Sequence, residues 1–142
     1  MKSADIRIRE VSLKDFREAI EDIKHSAFES PPALDPHAWM WAAFHGDDLV
    51  GFAGMKPSVR WERTGYLYLA AVAECARGLG LQRRFVRARI RKARSLSWGW
   101  LVTDTYENPR SANNLIACGF RSYLPTYPWA CKGSAYWRLA LE

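Results

Sequence analysis

Apolar and polar residues alternate along the chain with two different periods, and these periods predict a series of strands and helices. Residues 6–9 alternate between isoleucine and arginine, which indicates a half-buried strand. Apolar residues then recur at helical spacing, which predicts an amphipathic helix over residues 13–28. Ser12 and Asp15 are typical of a capping box at the start of that helix.

The middle of the chain predicts three antiparallel strands. Residues 39–45, 49–56 and 66–72 are rich in aromatic and aliphatic side chains, and residues 46–48 are typical of a hairpin turn between the first two. Before these strands, residues 30–36 contain three prolines and break the helical pattern. This loop ends in an Asp-Pro pair, which can cap a short second helix.

The second half of the chain predicts a helix of about 17 residues that includes the basic segment 83–95, followed by a strand over residues 99–103. A second helix is predicted over residues 109–118, and two further strands over residues 120–123 and 135–141. Pro109 is favoured at a first helical position, and Gly119 ends the helix. A strand–helix–strand crossover is right-handed and joins parallel strands. The predicted fold class is therefore α/β (α+β), with a mixed, mostly antiparallel sheet, a central parallel strand pair and helices on both faces.

Length and composition limit the kind of protein. The chain has 142 residues, of which 49% are apolar, so residues 1–142 are expected to form a single domain with a core. No apolar run reaches the roughly 18 residues that a membrane span needs, and the N-terminus lacks the apolar core of a signal peptide. The three cysteines are far apart, so reduced thiols in a cytoplasmic protein without a metal site are expected.

A turn with two glycines connects the strand over residues 66–72 to the basic helix. Gly78 and Gly80 leave backbone N–H groups uncovered where the helix begins, and a helix start carries unpaired donors and a partial positive charge. This arrangement can bind phosphate, and Arg77 adds a cation at its rim. An ordinary strand–helix turn is the structural alternative.

With these elements in order, the chain resembles the GNAT superfamily of N-acetyltransferases. The motif Q/R-x-x-G-x-G/A, which holds the pyrophosphate of acetyl-CoA in that family, is similar to the segment from Arg77 to Gly80. The segment from Asn108 to Ser111, followed by Gly119 and a phenylalanine, resembles the family's Asn-x-x-Ser/Ala and Gly-Phe signature. The resemblance extends over essentially the whole chain.

The resemblance implies a cosubstrate, a reaction and a set of binding residues. Acetyl-CoA is the implied cosubstrate, and an acceptor amine attacks its thioester directly, without a metal. In the family, pantetheine inserts where the strand before the motif splays from its parallel neighbour, and a backbone N–H there serves the thioester oxygen. The implied cofactor-binding residues are Ala71, Val72, Ala73, Arg77, Gly78, Leu79, Gly80, Leu81, Gln82, Asn108 and Ser111.

Three positions depart from the family pattern. Gln82 stands where the motif has Gly or Ala, Tyr68 where many members have a carboxylate, and Leu115 where many have a tyrosine that protonates the thiolate. Tyr68 is the candidate catalytic residue, relaying the amine's proton through water, and a role in core packing is its structural alternative. The remaining candidates for the acid are water and three tyrosines, Tyr106, Tyr123 and Tyr127.

The basic helix leaves a second interpretation open. At about 100° per residue, its polar side collects five arginines, namely Arg83, Arg84, Arg87, Arg91 and Arg94. Arg89 falls inside the apolar arc and must snorkel or pair. A solvated face is favoured over a nucleic-acid surface, although the net charge of +6 allows either. The alternative to an enzyme is a catalytically weak GNAT-like module that binds CoA, an acidic partner or nucleic acid, and either form can be a homodimer.

Overall fold

The computed structural model describes residues 1–142 and contains the predicted strands and long helices in the predicted order. Its α-helices are α1 (Leu13–Ala27), α2 (Leu81–Ser95) and α3 (Pro109–Ala117). Its strands are β1 (Ile6–Val11), β2 (Trp39–His45), β3 (Asp48–Pro57), β4 (Thr64–Val72), β5 (Trp100–Thr105), β6 (Arg121–Tyr123) and β7 (Ala135–Ala140). Short 3₁₀ turns cover Ser3–Asp5 and Glu74–Ala76.

The seven strands form one mixed sheet in the order β1-β2-β3-β4-β5-β7-β6. The pair β4–β5 is parallel, and the pairs β1–β2, β2–β3, β5–β7 and β6–β7 are antiparallel. The mixed sheet with a central parallel pair is thus confirmed. No helix is both long enough and apolar enough to cross a membrane.

The chain divides into two compact units. The first unit contains residues 1–56 and 68–85, and the second contains residues 57–67 and 86–142. Strand β4 and helix α2 each contribute residues to both units. The prediction of a single domain stays a prediction.

In the first unit, α1 begins at the predicted residue but without the predicted capping box. Ser12 makes no side-chain capping bond, and its carbonyl accepts from the N–H of Asp15 at 3.1 Å. The backbone of Phe16 departs from helical geometry (φ −132°), and its ring packs edge-on against Phe44 at 5.3 Å. The first turn is therefore closed by a tight i→i+3 bond and a kink, which leave the serine side chain without its partner.

The loop between α1 and β2 contains no second helix, so that prediction is wrong. Asp35 Oδ1 accepts from the backbone N–H of His37 at 2.8 Å, and the Asp35 carbonyl accepts from Ala38 at 3.2 Å. An aspartate that bonds the backbone two residues ahead forms an Asx turn, which competes with helix initiation.

In the second unit, the pairing of β4 with β5 is short. It joins Thr64–Tyr66 to Trp100–Val102, and the side-chain hydroxyl of Thr103 then donates to the carbonyl of Leu67 at 2.7 Å. A side chain therefore replaces the ladder bond at the point where the backbone pairing ends. From there, β5 continues to residue 105 paired with β7.

Helix α3 begins and ends as predicted. The side-chain oxygen of Asn108 accepts from the N–H of Ser111 at 3.0 Å, and Pro109 occupies the first turn. At its other end Gly119 has a φ of +97°, and the N–H of Phe120 bonds the carbonyl of Leu115. This left-handed glycine ends the helix.

Candidate functional site

The glycine turn has the geometry of an open backbone site in the first unit. Gly78 and Gly80 have φ values of +79° and +76°, in the left-handed region that favours glycine. A Cβ added at either position would meet no heavy atom within 4 Å. The glycines are therefore required by backbone conformation and not by steric crowding, and the main chain stays open to a ligand. Arg77 beside them is exposed, and α2 begins at Leu81.

The end of β4 leaves one backbone donor facing away from β3. The N–H of Ala73 donates to the carbonyl of Val50 at 2.8 Å. Successive N–H groups of a strand point to opposite edges, so the N–H of Val72 points away from β3. Ala71 is oriented like Ala73, and both Ala71 and Val72 are buried. Among these three predicted residues, Val72 has the N–H placed for a ligand.

The residues at the start of α2 differ in how far they are buried. Leu81 is 2% exposed, so its side chain fixes the helix start in the core. Leu79 and Gln82 are partly exposed. Gln82 therefore has room for its long side chain at the position where the family motif has a small residue.

Tyr68 is held on several sides within the first unit. Its hydroxyl accepts from the backbone N–H of Asp35 at 3.1 Å, and Lys56 Nζ lies 4.9 Å from its ring centroid. The ring lies over Gly54, where a Cβ would come within 2.4 Å of it, so only glycine leaves room. Lys56 Nζ also lies 3.5 Å from Asp35 Oδ2. Loop and strand therefore fix the tyrosine together.

The electrostatic surroundings of Tyr68 favour the neutral phenol. Burial raises the pKa of Tyr68, and the charge of Asp35 adds to the rise. The pKa of Asp35 is lowered, chiefly by the backbone N–H of His37. A neutral tyrosine beside a carboxylate can pass a proton along, but it does not act as a base at neutral pH.

The second unit contains a carboxylate that sequence reasoning missed. The hydroxyl of Tyr66 donates to Asp104 Oδ1 at 2.9 Å, and Asp104 lies on β5 two residues beyond the last pair with β4. Burial raises the pKa of Asp104, while the Tyr66 hydrogen bond opposes the rise. The available signal was a single acidic residue in a strand whose other residues are apolar or threonine. Asp104 is partly exposed, and one of its two carboxylate oxygens accepts the hydrogen bond from Tyr66.

An aromatic cluster packs against the tyrosine of this pair, Tyr66. Trp129 packs edge-on against Tyr66 at 5.6 Å and against Tyr136 at 4.9 Å. The Tyr136 hydroxyl accepts from the backbone N–H of Ala130 at 3.0 Å, which holds the loop after β6 on the sheet. Trp129 Nε1 and the Tyr123 hydroxyl are buried without hydrogen-bond partners.

The predicted residues on α3 have structural explanations. Asn108 and Ser111 form the helix N-cap, and Leu115 is a core residue with 5% of its surface exposed. The cap bond alone accounts for an asparagine at this position. Cofactor contacts by Asn108 and Ser111 stay a prediction.

The arginines of α2 do not form one solvated face, so part of that prediction is wrong. Arg84 Nη1 donates to the Ser3 carbonyl at 2.9 Å, and its Nη2 donates to the Ile6 carbonyl at 2.8 Å. The helical spacing placed Arg84 on the polar side correctly, but the N-terminal segment of the chain covers it. Arg94 Nε lies 3.5 Å from the Leu141 carbonyl.

Arg89 lies on the buried side of α2, and of the two predicted alternatives it has a partner and does not snorkel to the surface. It is 3% exposed, and burial lowers its pKa to about 9. Arg83 also has partners, so Arg87 and Arg91 are the exposed arginines left for an outside ligand. Two such side chains make a small basic surface.

A surface pocket of about 460 Å³ lies in the second unit. It covers the starts of β4 and β5 and the neighbouring parts of β7 and β6. Its lining consists of Trp61, Glu62, Thr64, Trp100, Val102, Tyr123, Leu124, Pro125, Thr126 and Arg138. No three metal-ligating side chains come together anywhere in the chain.

Comparison with known proteins places the chain in a family. The model of the Acetyltransferase (GNAT) family matches residues 6–120, which is most of the sequence. The chain therefore belongs to the GNAT acetyltransferase family. No curated protein sequence matches it significantly.

Solved structures with the same fold have little sequence in common with the chain. A GNAT-family protein from Desulfovibrio desulfuricans matches with a TM-score of 0.80 and 18% identity, over 96% of this chain and 99% of the other. The protein yncA from Salmonella typhimurium, solved with its cofactor acetyl-CoA, gives 0.76 and 14% over 97% and 95%. The ribosomal-protein-S18-alanine N-acetyltransferase from Escherichia coli gives 0.75 and 15% over 96% and 94%.

Proposed function

We propose that the chain is an acetyl-CoA-dependent N-acetyltransferase, which transfers acetyl directly from the thioester to an acceptor amine. The observation that carries this proposal is the glycine turn, whose open main chain directly precedes the N-terminus of a 15-residue helix. A helix start with uncovered N–H groups and a partial positive charge suits a pyrophosphate. Family membership and the acetyl-CoA in yncA support the same cosubstrate.

The residues of the first unit fit the binding of CoA. The main chain of Gly78, Leu79 and Gly80 and the start of α2 bind the pyrophosphate, with Arg77 as an exposed cation. Acetyl-CoA supplies an electrophilic thioester carbonyl. The N–H of Val72 donates to the thioester oxygen, which becomes negative as the amine attacks.

In the second unit, Asp104 takes the proton of the acceptor ammonium. A carboxylate with a raised pKa is a stronger base than an ordinary aspartate, and Tyr66 fixes its orientation through one oxygen. Tyr68 stays a candidate for proton relay through water, because its raised pKa keeps it in the neutral form. In this proposal no residue of the chain forms a covalent intermediate.

The second candidate function is a CoA-binding module with little transferase activity. It is favoured by Tyr68 and Leu115, which occupy the positions of the family's usual base and acid. A nucleic-acid partner is not favoured, since Arg84 and Arg94 bond to the main chain. The cysteines are free, as in a reducing compartment, so we propose a cytoplasmic location.

Release of CoA thiol separates the two candidates. The purified chain is incubated with acetyl-CoA and pooled amines that include amino acids, small peptides, polyamines and aminoglycosides. The enzyme hypothesis predicts thiol release above the amine-free rate with at least one pool, and mass spectrometry then identifies an N-acetylated product. CoA binding without acceleration by any amine pool would support the module and reject the enzyme.

A further inference from the structure

The pocket of the second unit carries three large apolar side chains that folding alone does not bury. Trp61 is 42% exposed, Trp100 is 43% exposed and Leu124 is 94% exposed, and all three line the same pocket. Exposed apolar groups are ordinary when scattered, but a cluster in one concavity marks a binding site. A ligand with an apolar body would remove this surface from water.

The guanidinium of Arg138 lies over two aromatic rings of the pocket lining. The Cζ of Arg138 lies 5.4 Å from the ring centroid of Trp100 and 4.7 Å from that of Tyr123. A guanidinium that packs on aromatic rings can still direct its N–H donors to a carboxylate. Arg138 forms no ion pair or hydrogen bond through its side chain in the structure. Its donors are therefore available to an anion in the pocket.

A second arginine, Arg121, adds to the positive charge beside Arg138. Arg121 on β6 is directly opposite Arg138 on β7, so both side chains are on the same face of the sheet. Like charges directly opposite each other are destabilising, and neither arginine has a carboxylate partner. A carboxylate bound at the edge of Arg138 would relieve this repulsion and form charge-assisted, bidentate hydrogen bonds.

Glu62 limits the kind of anion that the pocket can bind. It is the one carboxylate among the lining residues, and it is exposed and unpaired. Its negative charge repels a dianion such as a phosphate monoester more strongly than it repels a monocarboxylate. The lining therefore favours a single carboxylate attached to an apolar or aromatic body.

The carboxylate subsite lies within reach of Asp104. In the sheet register Asp104 is opposite Tyr136, and Arg138 is two residues further along β7 on the same face. Such diagonal neighbours are roughly 7–8 Å apart between Cα atoms. An amine and a carboxylate belonging to one small molecule can therefore be bound by Asp104 and Arg138 at the same time.

We propose that the acceptor is an amine that also carries a carboxylate, namely an amino acid or a short peptide, with its carboxylate on Arg138 and its apolar side chain against Trp61 and Trp100. This inference rests on the proposed function, because it assigns the acceptor of that reaction. The volume of about 460 Å³ suits a ligand of this size.

Binding is measured without catalysis, by titrating 3-phenylpropionate against the indole N–H signals of the chain in NMR spectra. Its neutral amide, 3-phenylpropionamide, and phenyl phosphate serve as comparison probes. We expect the carboxylate to bind at least about tenfold more tightly than the amide, and Arg138→Gln to remove that difference. Arg91→Gln, which removes an exposed arginine on α2, is the control and should change nothing.

Three outcomes would overturn the subsite: no binding of 3-phenylpropionate, equal binding of carboxylate and amide, or tighter binding of phenyl phosphate. Unchanged carboxylate binding in Arg138→Gln would also overturn it. The proposed function fails independently, when no amine accelerates thiol release although the carboxylate binds as expected. If the enzyme turns over but strongly prefers amines without a carboxylate, the proposed function stands and the subsite is wrong.

Discussion

The two units present the same residue type in opposite hydrogen-bonding roles. Tyr66 and Tyr68 are two residues apart on β4, and each has a carboxylate-bearing residue beside it. Tyr68 accepts a backbone N–H from Asp35 in the first unit, whereas Tyr66 donates its proton to Asp104 in the second. The Tyr68 hydroxyl thus acts as an acceptor for the loop, and the Tyr66 hydroxyl orients the Asp104 carboxylate, which the sequence did not indicate.

A second difference concerns the kind of chemical group that each unit exposes to a ligand. The first unit offers backbone N–H groups, fixed by two left-handed glycines, while the second offers side chains gathered from four strands and two loops. Backbone sites follow from local sequence because glycine conformation is local. Side-chain sites depend on strand order and register, which bring distant residues together.

The largest effect is expected from a substitution that disrupts the proposed phosphate site at the glycine turn of the first unit. Gly80→Asp places a carboxylate against the pyrophosphate, so CoA should no longer raise the melting temperature, whereas CoA at 100 times its Kd stabilises a native state by about 2.7 kcal/mol. Thermal melts with and without CoA measure this. The matched control is Gly46→Asp, since Gly46 also has a positive φ of +60° with no atom near a Cβ. A full CoA shift in Gly80→Asp would remove phosphate binding from this turn.

Much of this first unit could be predicted from sequence, and the reasons are local. The spacing of Gly78 and Gly80 indicated the turn, and the helical period placed the start of α2 after it. The strands of this unit followed from hydrophobic runs. Where prediction failed in the same unit, a competing local bond often decided, as with the Asx turn at Asp35.

The second unit could be predicted less well because its contacts are long-range. Asp104 accepts a hydrogen bond from Tyr66, which is 38 positions away in the sequence. Arg138 contacts the ring of Trp100 at a similar sequence separation. Neither pairing follows from a periodic pattern. In the first unit, the contacts of Arg84 escaped prediction for the same kind of reason, because its partners lie 78 and 81 positions away.

A smaller effect is expected from the tyrosine of the first unit. Tyr68→Phe should lower turnover about tenfold or more at neutral pH, because general acid–base groups contribute about 10²–10⁴-fold and a relay is part of such a group. The loss should shrink as pH rises and more of the amine is already free. Rates of thiol release across pH measure it, and a Kd for CoA equal to that of the wild type is the control for intact binding. Equal rates at every pH would reduce Tyr68 to a structural residue.

A tyrosine at position 115 on α3, where many family members have one, should change turnover less than the loss of the Tyr68 hydroxyl does. Leu115→Tyr should change turnover by less than about tenfold, since a thiol with a pKa near 8.5 leaves without an obligatory acid. Because Leu115 is 5% exposed, overpacking should also cost about 1–3 kcal/mol of unfolding free energy. Denaturant titration checks the stability, and Ile116→Tyr, at an exposed position, is the control. A gain in turnover well above tenfold would show that the acid is missing.

The smallest effect is a pH-dependent change in stability. The pKa of Asp104 is raised on folding, so the native state binds more protons than the unfolded state in the window between the two pKa values. The unfolding free energy therefore falls as pH rises through that window. Asp104→Asn should lose this dependence, with a difference below about 1 kcal/mol because the side chain is partly exposed. Urea titrations at pH values across the window measure it, and an unchanged pH slope would contradict the raised pKa.

The proposed role of Asp104 as a base that is not needed for CoA binding is tested most directly by measuring the CoA affinity and the turnover of one variant, Asp104→Asn. The amide has the shape of the carboxylate and accepts no proton from an amine. We expect its Kd for CoA to equal that of the wild type, while turnover at neutral pH falls by about 10²-fold or more. Wild-type turnover in Asp104→Asn would contradict the account, and so would a loss of turnover explained entirely by a loss of CoA binding.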